Sequence, residues 1–226
     1  MKLSDYPRPS VTVDIVIFTI KDNNLKVLLV KRGVEPFKNK WAFPGGFVKI
    51  HENLEQAAKR ELEEETGVKE VYLEQLYTFG DVSRDPRGRV ITVTYFALIN
   101  SEKAKEKLNA STDVIEAEWF EISNLPPLAF DHSEILKYAI KRLKWKFEYT
   151  TIAFSFLPKR FTLTQLQKIY EIIFEKNFDK RNFRKKILSL ELLEPTEEKE
   201  KEVSYRPPQL YSLKSKIKIG KIIDII

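Results

Sequence analysis

The rhythm of apolar and polar positions changes several times along the 226 residues. VTVDIVIFTI (11–20) and LKVLLVKR (25–32) are β-branched, aliphatic runs separated by the polar turn KDNN, the pattern of a β-hairpin. WAFPGGFV (41–48) reads as a short strand broken by Pro44, Gly45 and Gly46. Behind Asn53, a good N-cap residue, Leu54, Ala57, Ala58, Glu61, Leu62 and Glu65 recur at helical spacing and stop at Gly67. This predicts a helix that leaves a strand through a glycine turn. KEVYLEQLYTFGDV (69–82) and RVITVTYFALI (89–99) are further strands flanking the loop SRDPRGR, and AEWFEI (117–122) is one more before Pro126 and Pro127. HSEILKYAIKRLKWKFE (132–148) predicts a long helix with Ile135, Tyr138, Ala139, Arg142 and Leu143 on one face. Mixed strands with two helices predict an α/β fold, an α/β/α sandwich.

After about Tyr149 the pattern changes. TLTQLQKIYEIIFEKN is an amphipathic helix capped by Thr162 or Thr164, DKRNFRKKILSL is a second helix, and LLEPTEEKEKEVSYRPPQLYSL reads as two strands around a charged tip. Helix, turn, basic helix and hairpin is the order of a winged helix. A first domain over 1–148, a winged helix over 149–213 and a tail over 214–226 are therefore expected. The tail, KSKIKIGKIIDII, suits an edge strand, a dimer contact or a mobile segment equally.

Composition narrows the chemistry. With no cysteine and two histidines, disulfides, zinc fingers, thiolate nucleophiles and iron–sulfur clusters are excluded, so any metal must be held mainly by oxygen. No apolar run approaches the length needed to span a bilayer, and a cytoplasmic location is expected. Residues 1–150 carry 23 basic and 23 acidic side chains, so the whole net charge of +6 falls on residues 151–226. Such asymmetry suits a surface that meets a polyanion, most naturally nucleic acid, or a lysine-rich solvated face.

The segment GFVKIHENLEQAAKRELEEETGV places Gly46, Glu52, Arg60, Glu61, Leu62, Glu64, Glu65, Gly67 and Val68 at fixed spacing. On a helix Glu61, Glu64 and Glu65 are neighbours at i, i+3 and i+4, and three like charges there repel unless a cation sits between them. Oxygen-only ligands select Mg²⁺ or Mn²⁺, which also bind phosphate oxygens. Gly46 lets the backbone approach and offer its carbonyl, and Arg60 can orient a carboxylate through a bidentate contact. This spacing resembles the box of the Nudix hydrolase family, and the resemblance spans roughly residues 10 to 145. It implies metal-dependent cleavage of nucleoside diphosphates linked to another group. Carried over by position, Arg60, Glu61, Glu64 and Glu65 are the catalytic set, Gly46, Glu61, Glu64 and Glu65 the metal ligands, and Glu52 assists. The general base varies in the family; Asp113, Glu116 and Glu118 are candidates.

SRDPRGR sets Arg84, Arg87 and Arg89 within six residues around a Pro and a Gly, a turn suited to a diphosphate because guanidinium forks bind phosphate. With the box, FGDVSRDPRGR resembles ADP-ribose-recognising Nudix proteins, which implies ADP-ribose or a related nucleoside diphosphate sugar as ligand, contacted by Arg84, Asp85, Arg87 and Phe37. Phe37 and Trp41 suit base stacking or core packing; Asp131 and His132 suit a helix cap or a ligand role.

FTLTQLQKIYEIIFEKNFDKRNFRKKIL with RPPQLYSL resembles the winged helix fused to Nudix domains in the NrtR-type regulators of NAD metabolism. The resemblance implies a homodimer on double-stranded DNA, with Lys180, Arg181, Asn182, Arg184, Lys185 and Lys186 on the second helix and Lys199, Lys201 and Arg206 in the wing. Winged helices also serve as docking modules. Two functions stay open: a hydrolase cleaving ADP-ribose to AMP and ribose 5-phosphate, and an ADP-ribose-responsive regulator. The intact box puts hydrolysis first.

Overall fold

The computed structural model describes residues 5–67, 71–100, 102, 114–199 and 208–223. The chain divides into two compact units: Met1–Phe18, Lys26–Ala97 and Glu106–Ala139 in one, Thr19–Leu25, Leu98–Lys105 and Ile140–Ile226 in the other. Among the described residues no helix is long and apolar enough to cross a membrane.

Among the described residues a seven-stranded sheet has five strands in the order β3 (Trp41–Ala42), β2 (Asn24–Arg32), β1 (Ser10–Lys21), β6 (Val90–Leu98) and β5 (Tyr72–Phe79). β4 (Gly45–Phe47) pairs with β1, and β7 (Val114–Glu121) with β2. β1 is central, which explains its nearly unbroken apolar run: Val13, Ile15, Val16, Ile17 and Phe18 are wholly buried, so both faces are covered. Asp14 interrupts that run and is itself buried. The antiparallel register of β1 with β4 sets Val13 opposite Gly46 and Asp14 opposite Gly45. β7 begins at Val114, three residues before the predicted AEWFEI, because it pairs along β2 as far as Arg32 opposite Val114.

α1 (Leu54–Thr66) has the expected ends. Asn53 and Gln56 form a reciprocal capping box, and Gly67 closes the helix at φ +72°, a left-handed conformation that glycine adopts without steric cost. Ala57, Ala58 and Leu62 face the core, and the same face carries Glu61 and Glu65 inward. α2 (His132–Tyr149) follows the predicted helix and buries Ile135, Leu136, Ala139, Leu143 and Phe147.

In the second unit a 3₁₀ turn over Thr151–Phe156, too short to announce itself by periodicity, leads to β8 (Phe161–Thr162), α3 (Leu163–Phe174), α4 (Lys180–Ser189), β9 (Leu193–Lys199) and β10 (Gln209–Leu213). The strands form an antiparallel sheet ordered β8-β10-β9. Thr162, not Thr164, is the cap of α3, sharing a capping box with Gln165. Tyr170 is the hub of the core, its ring 5.2–6.4 Å from those of Phe147, Phe174, Phe178 and Phe183. The C-terminal segment is tied down as far as Ile223. Thr151 N–H donates to Lys221 O at 3.0 Å, Ile223 N–H to Tyr149 O at 2.7 Å, and Thr150 bridges Ile222.

Candidate functional site

β1, β2, β4, α1, the loop before β6 and the start of α2 enclose a cavity of about 630 Å³ in the first unit. Its acidic wall is the inner face of α1. Glu61 and Glu65 are 8% and 9% exposed, whereas Glu64 is half-exposed. Glu65 Oε2 accepts the Gly45 N–H at 3.0 Å, and burial, aided by Glu61 and Asp14, pushes its carboxyl up to about 8. Burial also raises Glu61, against the opposing pull of Arg60. Arg60 closes the cluster: it donates to Glu52 at 2.9 and 2.5 Å, to Glu61 at 2.6 Å and to Glu64 at 3.1 Å. Those bonds hold Glu52 well below the usual carboxylate range, at about 2. Gly46 passes so close that a Cβ there would stand 2.2 Å from Glu61 Oε1.

The opposite wall is built of arginines and aromatic rings. Arg84 is 8% exposed and internally engaged, with Nε and Nη2 donating to Asp131 at 2.9 and 2.7 Å and Asp14 Oδ2 at 3.5 Å. Behind Asp14 lies His132, its Nε2 at 3.6 Å from Asp14 Oδ1. His132 Nδ1 accepts the Phe43 N–H at 2.9 Å, so the proton of the neutral ring sits on Nε2, facing Asp14. Burial lowers its pKa. Arg87 is more open; it pairs with buried Asp85 at 2.7 Å and lies 5.1 Å from the Phe47 ring centre and 5.7 Å from that of Phe130. Arg32 sits over the same Phe130 ring at 4.9 Å, and desolvation together with Arg87 lowers its pKa. Phe130 and Phe37 both occupy the left-handed region, at φ +52° and +64°, with ring centres 4.7 Å apart. Bulky residues hold that conformation only where the surroundings over-determine it.

One cavity thus gathers Gly46, Arg60, Glu61, Glu64, Glu65, Arg84, Asp85 and Arg87. Phe37 reaches it through Phe130, while Trp41 packs on Phe120 instead. Asp131 holds Arg84 rather than acting mainly as a side-chain cap. Glu116 and Glu118 are exposed on β7 and do not line the cavity; Asp113 and Val68 lie outside the described residues. Asp14, Arg32, Phe47 and Phe130 were not singled out from sequence. A lone acid inside VTVDIVIFTI was the available signal for Asp14, since a charge is rarely buried without a partner. Phe130 had no comparable signal.

In the second unit α4 turns Phe183 and Ile187 inward and leaves Lys180, Arg181, Asn182, Lys185 and Lys186 exposed. Asp179 caps the helix, accepting the Asn182 N–H at 2.8 Å. Arg184 is half-buried and donates to Thr164 Oγ1 at 3.1 Å, so it is less free than its neighbours. Arg206, Lys201 and the side chain of Lys199 lie outside the described residues.

The NUDIX domain family is matched over residues 9–142. The chain belongs to the Nudix family. Residues 153–213 match the NrtR DNA-binding winged helix domain. The chain is 42% identical to the ADPR responsive transcriptional repressor NtrR of Acinetobacter baylyi, over 92% of this chain and 83% of that protein. It is 43% identical to the ADP-ribose pyrophosphatase of Methanocaldococcus jannaschii, over 62% of this chain and 77% of the relative. The crystal structure of Shewanella oneidensis NrtR complexed with a 27mer DNA superposes with a TM-score of 0.81 at 38% identity, covering 90% of this chain and 93% of that one.

Nudix hydrolases generally use a divalent metal, and the acidic wall suits one. Among the described residues no three acidic or histidine groups are gathered as a closed cage, and Arg60 is bonded to Glu61 and Glu64. The backbone notch at Gly46 against Glu61, and the buried Glu65 carboxyl, which accepts the Gly45 N–H, nevertheless offer hard oxygen donors of the kind Mg²⁺ selects.

Proposed function

We propose that this Nudix protein is an ADP-ribose-responsive DNA-binding regulator. A sensing domain over 1–148 takes the nucleotide in its cavity, and a winged helix over 149–213 lays α4 in the major groove. The observation that carries this reading is the similarity to the Acinetobacter repressor, which runs through both domains over 92% of the chain. The exposed basic face of α4 supports it. Sequence alone put hydrolysis first; the order reverses because the pyrophosphatase relative reaches only 62% of the chain. Such a regulator acts in the cytoplasm as a homodimer. Its two recognition helices enter half-sites about 34–36 Å apart, or a multiple of that.

The intact box favours a second, compatible reading, hydrolysis of ADP-ribose to AMP and ribose 5-phosphate. Glu61, Glu64 and Glu65 with the Gly46 carbonyl would hold Mg²⁺ or Mn²⁺, and the ion when bound neutralises diphosphate charge. Arg60 orients Glu52, Glu61 and Glu64. Arg87 and Asp85, with Phe37 behind Phe130, shape the nucleotide side, and Arg84 fixes that wall.

Gel shifts with fragments upstream of NAD- or sugar-metabolism genes test the proposal, using wild type and Glu65→Gln, the latter to keep ADP-ribose intact. Retardation relieved by ADP-ribose is expected, which requires that the ligand bind the DNA-incompetent arrangement more tightly. No retardation at low salt would leave an enzyme with a docking module. Release of AMP from ADP-ribose with Mg²⁺ decides the second reading.

A further inference from the structure

We infer that Arg32 is a metal-independent phosphate contact of the cavity. The inference rests on the nucleotide reading above and names a residue that neither the box nor the arginine loop contains. Four arginines line the cavity. Arg60 is bonded to three glutamates, Arg84 to Asp131 and Arg87 to Asp85. Among the described residues Arg32 alone of the four has no carboxylate partner. Its Nε donates to Pro36 O at 2.8 Å and its Nη2 reaches Val34 O at 3.5 Å. These carbonyls fix the guanidinium without neutralising it, and among the described residues its remaining N–H groups stay available.

The guanidinium carbon lies over the Phe130 ring, 4.9 Å from its centre, so the N–H donors not bonded to Pro36 and Val34 are what the group offers a ligand. In-plane guanidinium donors match phosphate oxygens. Phe130 also carries Arg87 at 5.7 Å, which places two cations over one ring held in left-handed backbone at φ +52°. An anion bound beside them relieves that repulsion. The carboxylates across the cavity repel phosphate unless a cation intervenes; Arg32 does not share that requirement. Ligand binding therefore has two separable parts, one on the acidic wall and one on Arg32.

Calorimetry in EDTA separates them, with ADP and adenosine as probes and wild type, Arg32→Ala and Arg32→Lys as proteins. Arg32→Ala is expected to weaken ADP binding by about ten- to a hundredfold and to leave adenosine unchanged, as for a lost charged hydrogen bond. Arg32→Lys, which keeps the charge but not the planar fork, falls between. If Arg32→Ala fails to fold, Arg32→Lys decides: a loss confined to ADP supports the contact. Unchanged ADP affinity, or equal losses for ADP and adenosine, overturns it while ADP-ribose binding by wild type stands. Absence of ADP-ribose binding by wild type, even with Mg²⁺, sinks the nucleotide reading and this contact together.

Discussion

Replacing Arg84 by alanine tests whether that residue belongs to the protein or to the ligand. Its side chain is 4% exposed, and its partners Asp131 and Asp14 are 16% and 12% exposed. Two hydrogen bonds at 2.9 and 2.7 Å join it to Asp131, and Asp14 Oδ2, which has no hydrogen-bond partner among the described residues, lies 3.5 Å away. Alanine would strand two mostly buried carboxylates in a cavity that already holds Glu65. Removing one member of a buried pair costs about 3–5 kcal/mol. Because this group borders a cavity, the lower end, about 3 kcal/mol, is expected, and Tm should fall by roughly 6–12 °C. Urea or thermal unfolding reads this directly. Adding Asp131→Asn should cost much less in the Arg84→Ala background than in wild type, since the partner is already gone. Arg87→Ala is the comparison: its side chain is 41% exposed, but its partner Asp85 is 2% exposed and keeps, among the described residues, only the Arg87 N–H, so stability should fall by about 1–3 kcal/mol, while ADP-ribose binding weakens by about 1.5–3 kcal/mol. An Arg84→Ala protein as stable as wild type but deficient in ADP-ribose binding would refute the reasoning and make Arg84 a direct ligand contact.

Three further outcomes are expected. Gly46→Ala would put a Cβ 2.2 Å from Glu61 Oε1, so Mg²⁺-dependent hydrolysis and Mg²⁺-induced stabilisation should both be lost while circular dichroism stays native; retention of either counts against the notch as a metal position. The Glu65 carboxyl, raised from an ordinary 4.5 to about 8, binds more protons folded than unfolded between those values, so the metal-free protein should lose stability as pH rises from about 4.5 to about 8. Mg²⁺ needs the carboxylate and should stabilise increasingly over the same window; a pH-independent Mg²⁺ shift in Tm, or an equal one in Glu65→Gln, would contradict this. On DNA, Lys185→Ala should lower the slope of log affinity against log salt by about 0.9, whereas Asn182→Ala should relax base preference at constant slope; identical behaviour of the two variants removes α4 from the interface.

The sequence by itself determined whatever depends on near neighbours. Asn53, the apolar positions of α1 and Gly67 specified a helix with both ends, and the spacing of Glu61, Glu64 and Glu65 fixed their common face, because helical neighbours are set by local geometry. The order of α3, α4, β9 and β10 was legible for the same reason, as was the basic exposed side of α4 opposite Phe183 and Ile187. Tertiary structure decided which groups meet. Asp14 faces Gly45 only through the register of β1 with β4, and Phe130 joins Arg32 across nearly one hundred residues of chain. No local pattern assigns arginines to carboxylates, so SRDPRGR could not reveal that Arg84 is held by Asp131 while Arg87 stays open to the cavity. Likewise KSKIKIGKIIDII left the tail undecided, until the backbone hydrogen bonds of Tyr149 and Thr151 found their partners there. Helical periodicity is a property of consecutive residues, whereas charge pairing and strand register depend on closure of the whole sheet.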